Sequence, residues 1–141
     1  GAVGSRSAPV RGGAELISWS EATKVFTYRA TIIDCKTGIS FQVQRRGGHN
    51  HADAEPLTAA DTAAMKKIYG GKWSWDRRAV VVVVGSRRMA GSINGMPHGG
   101  QAITGNDFDG HFCVHFLNSK THGSNAVDAT HQKMVQAAAN M

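Results

Sequence analysis

The chain has 141 residues, enough for one domain that encloses its own core without metal or disulfide staples. With 41% hydrophobic and 18% charged residues, 17 glycines and 3 prolines, it is neither disordered by composition nor collagen-like, and no apolar run is long enough for a membrane-spanning helix. The net charge of +6 favours polyanionic surroundings, but the basic residues are dispersed (Arg45-Arg46, Lys66-Lys67, Arg77-Arg78, Arg87-Arg88), so a nucleic-acid partner is not expected.

Residues 1–13 are rich in Gly, Ser and Arg with no apolar period and read as a flexible leader; the domain is expected over 14–141. The opening Gly-Ala-Val-Gly, without an initiator Met, is read as the start of an excised or tagged segment. Val25 to Asp34 has strand composition. It turns at Cys35-Lys36-Thr37-Gly38 into the alternating Ile39–Gln44, which predicts a β-hairpin. Gly47-Gly48 then opens a polar loop, His49-Asn50-His51-Ala52-Asp53-Ala54-Glu55-Pro56, whose side chains are read as bonding their own backbone. Thr58 and Asp61 form a capping-box pattern ahead of a helix over about 59–69, stopped by Gly70-Gly71. Lys72-Trp73-Ser74-Trp75-Asp76-Arg77-Arg78 interleaves aromatic and basic residues at a strand entrance.

Ala79 to Val84 lacks polar alternation and predicts a strand covered on both faces, turning at Gly85-Ser86 into a partner over Arg88–Ile93. Asn94 to Gly110, with five glycines, predicts a long functional loop. In the following strand, alternation puts Phe112, Val114 and Phe116 on the core face and His111, Cys113 and His115 on the other. Asp128 is positioned to cap a helix over about 129–139, with His131 at its surface. The fold class is α+β: a β-rich mixed sheet or sandwich with about two helices, in a single compact domain.

Chemistry is expected where the histidines gather, since five of the seven lie between His98 and His131. A cysteine between two histidines, reached through a glycine-rich loop beginning at His98-Gly99, has the parts of a thiol nucleophile and its base. The other cysteine, Cys35, is read as structural.

His98-Gly99, followed fifteen positions after His98 by Cys113 within Gly110-His111-Phe112-Cys113-Val114-His115, resembles the signature of the YkuD-type L,D-transpeptidase catalytic domain of bacterial and phage cell-wall enzymes. The resemblance covers residues 94–118. It departs from the family pattern where Gly110 replaces Ser or Thr, Phe112 replaces a glycine, and His115 replaces Asn or Arg. It implies Cys113 as nucleophile, His98 as general base and acid, His111 as an orienting catalytic residue, and a transferase or carboxypeptidase acting on peptidoglycan stem peptides through a thioester, without a cofactor. His115, Gly99, Phe112 and His122 would meet the substrate, backbone amides near Phe112 and Cys113 would hold the oxyanion, and Arg87 or Arg88 would pair with a substrate carboxylate. Such a protein is secreted or cell-wall associated.

Two other readings stay open. In one, a zinc-dependent peptidoglycan hydrolase uses His51, Asp53 and a strand histidine as ligands, with Glu55 activating water. In the other, the chain is a non-catalytic cell-wall binding module that stacks ligands on Trp73 and Trp75.

Overall fold

In a computed structural model, the described residues are 13–121 and 124–140. The predicted leader falls almost wholly outside them. Among the described residues nine elements follow one another: α1 (Trp19–Val25), β1 (Arg29–Asp34), β2 (Ser40–Gly47), β3 (Ala52–Pro56), α2 (Ala59–Ile68), β4 (Ser74–Val84), β5 (Arg87–Gly95), β6 (Phe112–His115) and α3 (Ala129–Ala139). The six strands close into a barrel in the order β1-β2-β3-β6-β5-β4, with β4 returning to β1, and every pairing between these strands is antiparallel. The α+β class and single compact domain hold; the mixed sheet or sandwich is replaced by a closed antiparallel barrel with three helices.

Strand alternation fills the barrel. Ile32, Phe41, Val43, Ala52, Ala54, Val80, Val82, Met89, Ile93, Phe112, Val114 and Phe116 are all buried in one cluster, as expected of a small barrel whose interior is packed with side chains. The valine run is covered on both faces, as its composition implied. Val80 and Val82 join the interior, while Val81 packs outside with Ala90 against Val135 and Ala138 of α3. The β1–β2 hairpin and both predicted helices are present, the latter with the Thr58–Asp61 capping box and with Asp128 accepting from the His131 amide.

Two segments differ from expectation. The strand predicted from Val25 starts only at Arg29, because Trp19–Val25 forms a short helix whose last turn closes through the Phe26 amide on Ala22 O. The polar loop before Pro56 contains β3, buried at all five positions and paired to β2 and β6. Ala52 and Ala54 face the interior, so Asp53 and Glu55 stand on the outer wall. This strand brings the second half of the site beside Cys113.

Candidate active site on the outer wall of β3 and β6

The site is built on the barrel's outer face, where Asp53 of β3 and Cys113 of β6 are register partners. The Cys113 amide donates to Asn94 Oδ1 at 3.0 Å, which locks β6 to the end of β5. The thiol is buried but not sealed, at 7% exposure. Its sulfur lies 3.6 Å from His98 Nε2.

His98 is held from both sides. Its amide and carbonyl exchange hydrogen bonds with those of His111, so the long loop folds back onto the strand it precedes. His98 Nδ1 is 2.7 Å from Met96 O. A carbonyl can only accept, so Nδ1 carries the proton in the neutral ring and the Nε2 lone pair faces the sulfur. The same device fixes His51, with Nδ1 on Lys120 O, and His111, with Nδ1 on Gly100 O, both at 2.7 Å. His51 Nε2 is 3.2 Å and His111 Nε2 3.7 Å from Asp53 Oδ1.

Two glycines make these approaches feasible. Gly99 has φ +68°, and a Cβ there would collide with the His111 ring; Gly110 has φ +127°, and a Cβ there would enter the His98 backbone. Glu55 secures the loop from below, its buried carboxylate accepting from the amides of Ala102 and Ile103 at 2.9–3.1 Å.

These surroundings set the charges. Burial by itself would raise the Cys113 pKa, but hydrogen bonds from His51 and His98 outweigh it and hold the thiol below its usual range. The His98 pKa is raised, chiefly by its hydrogen bond to Cys113. Burial pushes His51 down, yet Asp53, Cys113 and the Lys120 carbonyl together lift it to about 10. These shifts move the thiol toward thiolate and the two imidazoles toward imidazolium.

Several expected residues take other places. Phe112 is fully buried inside the barrel against Phe41 and Phe108, so its ring belongs to the core and not to a substrate contact. His115 is also buried, its ring stacked 4.5 Å from that of His51 and 3.7 Å from that of His131. The Cys113 amide, an expected oxyanion donor, is already bonded to Asn94. Arg87 is ion-paired with Glu15 at the far end of β5, seven residues and roughly 23 Å of strand from Asn94. Gly99 is exposed at the rim, and His122 lies outside the described residues. Trp73 packs edge-on against Phe108, whereas Trp75 is half-exposed with its ring 4.9 Å from that of His98, forming one wall of the site.

His131, expected at the surface, is 2% exposed. The available signal was its spacing: His131, Val135 and Ala138 fall on one helix face, and all three are buried. Asn94 and Trp75 carried no comparable motif.

A scan against protein-family models and searches of curated proteins and of solved structures found no match to this chain.

Proposed function

We propose that this domain is a cysteine-dependent acyltransferase that processes peptidoglycan stem peptides, as an L,D-transpeptidase or L,D-carboxypeptidase, through a thioester on Cys113. One observation carries the reading: the Cys113 sulfur stands 3.6 Å from a His98 nitrogen whose opposite ring nitrogen is anchored on the Met96 carbonyl. That is the geometry a thiol nucleophile and its base require. The family resemblance of residues 94–118 and the +6 charge, suited to an anionic cell wall, support the substrate class and a secreted or wall-associated setting.

The thiolate attacks the carbonyl carbon preceding the terminal D-amino acid, forming the C–S bond and a tetrahedral oxyanion. Because the Cys113 amide is engaged with Asn94, the cationic His51 ring beside the sulfur compensates that charge. Collapse breaks the C–N bond, and His98 delivers its Nε2 proton to the departing amine. An acceptor amine, or water, then gives a proton back to His98 and attacks the thioester, expelling the thiolate. The amine yields a cross-link and water yields hydrolysis. His111, anchored on Gly100 O and facing Asp53, holds the loop that presents His98.

The zinc-hydrolase alternative asks for a free carboxylate to activate water, and Glu55 is buried and bonded to two amides. A purely binding module would use Trp75 and leave the thiol pair idle. Incubation with a stem tetrapeptide followed by intact-protein mass spectrometry separates these readings. The expected result is a tripeptidyl adduct on Cys113 with release of the terminal D-amino acid. Unaltered tetrapeptide bound to unmodified protein would contradict the proposal.

A further inference from the structure

We propose that the same pocket is a zinc site, in which His51 Nε2, Asp53 Oδ1 and Cys113 Sγ hold one Zn(II) that closes the thiol to acylation. The ligand atoms of these three buried residues lie within 4.8 Å of one another. With Zn–S near 2.3 Å and Zn–N or Zn–O near 2.0–2.1 Å, tetrahedral donors sit roughly 3.3–3.6 Å apart. His51 Nε2 and Asp53 Oδ1 are 3.2 Å apart, and Cys113 Sγ and His98 Nε2 3.6 Å. His98 Nε2 reaches the sulfur but is not one of the three atoms that gather within 4.8 Å, so the fourth position is left for water.

A second, independent observation concerns orientation. His51, His98 and His111 each give Nδ1 to a backbone carbonyl at 2.7 Å, which turns their Nε2 atoms inward. Metal-binding imidazoles are held in this way, through a hydrogen bond from the nitrogen remote from the ion. Asp53 and Cys113 come from paired strands in fixed register, so little reorganisation is needed to bind. A thiolate, imidazole and carboxylate set suits zinc and disfavours calcium or magnesium, which take oxygen donors.

Binding displaces the proton on the His51 Nε2 that becomes a ligand and any proton remaining on Cys113 Sγ, with no redox change. The ion then occupies the sulfur lone pair that would attack the substrate. Zinc is thus an inhibitor that reversibly caps the nucleophile. The inhibitory role rests on the thiol reading; the binding itself does not.

The test uses the full chain after chelator treatment. Zinc is titrated against a chromophoric chelator, and alkylation of Cys113 by iodoacetamide is followed by mass spectrometry. About one zinc per chain is expected. Saturating zinc should slow Cys113 alkylation at least tenfold, with recovery on adding EDTA. His51→Ala and the near-isosteric Asp53→Asn should each weaken binding at least tenfold. Cobalt(II) added to the unmodified chain should give a thiolate-to-metal charge-transfer band that Cys113→Ser lacks. Unchanged zinc affinity in Asp53→Asn, absence of protection, or a cobalt spectrum without the thiolate band would overturn the proposal. If zinc binds and protects while Cys113→Ala still turns over stem peptide, the zinc site stands and the acyltransfer reading fails.

Discussion

Replacing Cys113 with alanine is expected to lower turnover of a stem tetrapeptide by at least about ten-thousandfold, with no comparable loss of stability. Removal of a covalent nucleophile leaves only binding and residual electrostatic effects, and losses of that order or larger are usual when the nucleophile is essential. The fold should survive because Cys113 is on the outer wall of the barrel, while its neighbours Phe112 and Val114 supply the interior packing. Its amide bond to Asn94 is also retained by alanine. His98→Gln should cost less, about a hundred- to ten-thousandfold, because it removes proton transfer but keeps the nucleophile. Steady-state rates with circular dichroism of both variants check this. A Cys113→Ala protein retaining more than a tenth of wild-type turnover would remove the basis of the mechanism.

The second large effect is on stability. His115 and His131 are stacked and buried between β6, β5 and α3, and burial pushes them down to about 2 and about 3 respectively. The groups around them are His51, stacked on His115; Ser92 of β5, bonded to His131 Nδ1; and Asp128 and Arg77, which pair with each other at the start of α3. A histidine whose folded pKa is depressed leaves the unfolded chain binding more protons below about 6.5, so its stabilisation is full above that value and is lost as pH falls toward the folded value. His51 and His98 have raised values, so their contributions grow slightly on going below pH 7 and level off below about 6.5, offsetting only a small part of the loss. At pH 5 the pair costs on the order of 4 kcal/mol relative to pH 7, about 2 kcal/mol per ring. Urea unfolding at the two pH values should reveal this. His131→Leu, which removes one of the two rings, should show about half the dependence.

What was legible in the sequence follows its physics. Strong alternation and strong caps translated directly: Phe112, Val114 and Phe116 went inward, Cys113 and His111 outward, and both longer helices began at their capping residues. The glycine-rich loop that follows β5 does deliver His98 to Cys113. Segment 52–56 does not announce a strand because Ala, Asp, Glu and Pro are all poor strand formers, and that composition masks the alternation of small apolar and acidic residues that marks a buried barrel strand. His51 and Asp53 are therefore distant from the thiol in sequence pattern, and the β3–β6 pairing joins them. Barrel closure was likewise invisible, since it depends on which strands pair across the chain and no local pattern encodes the β1–β4 and β3–β6 partnerships. His115 illustrates a further limit. Its facing direction was read correctly, but its burial comes from α3, whose docking the strand pattern does not report.

The proposed chemistry needs a Cys113 thiol held below its ordinary range by His51 and His98. The direct measurement is the rate of iodoacetamide alkylation of Cys113 against pH, in chelator-treated protein, with adducts assigned by peptide mass. Cys35 serves as the internal reference, since burial raises it to about 11. Cys113 reactivity is expected to reach half its plateau below the ordinary thiol value of about 8.5, and His98→Ala to move this midpoint upward. A Cys113 midpoint at or above about 8.5, unmoved by loss of His98, would contradict it.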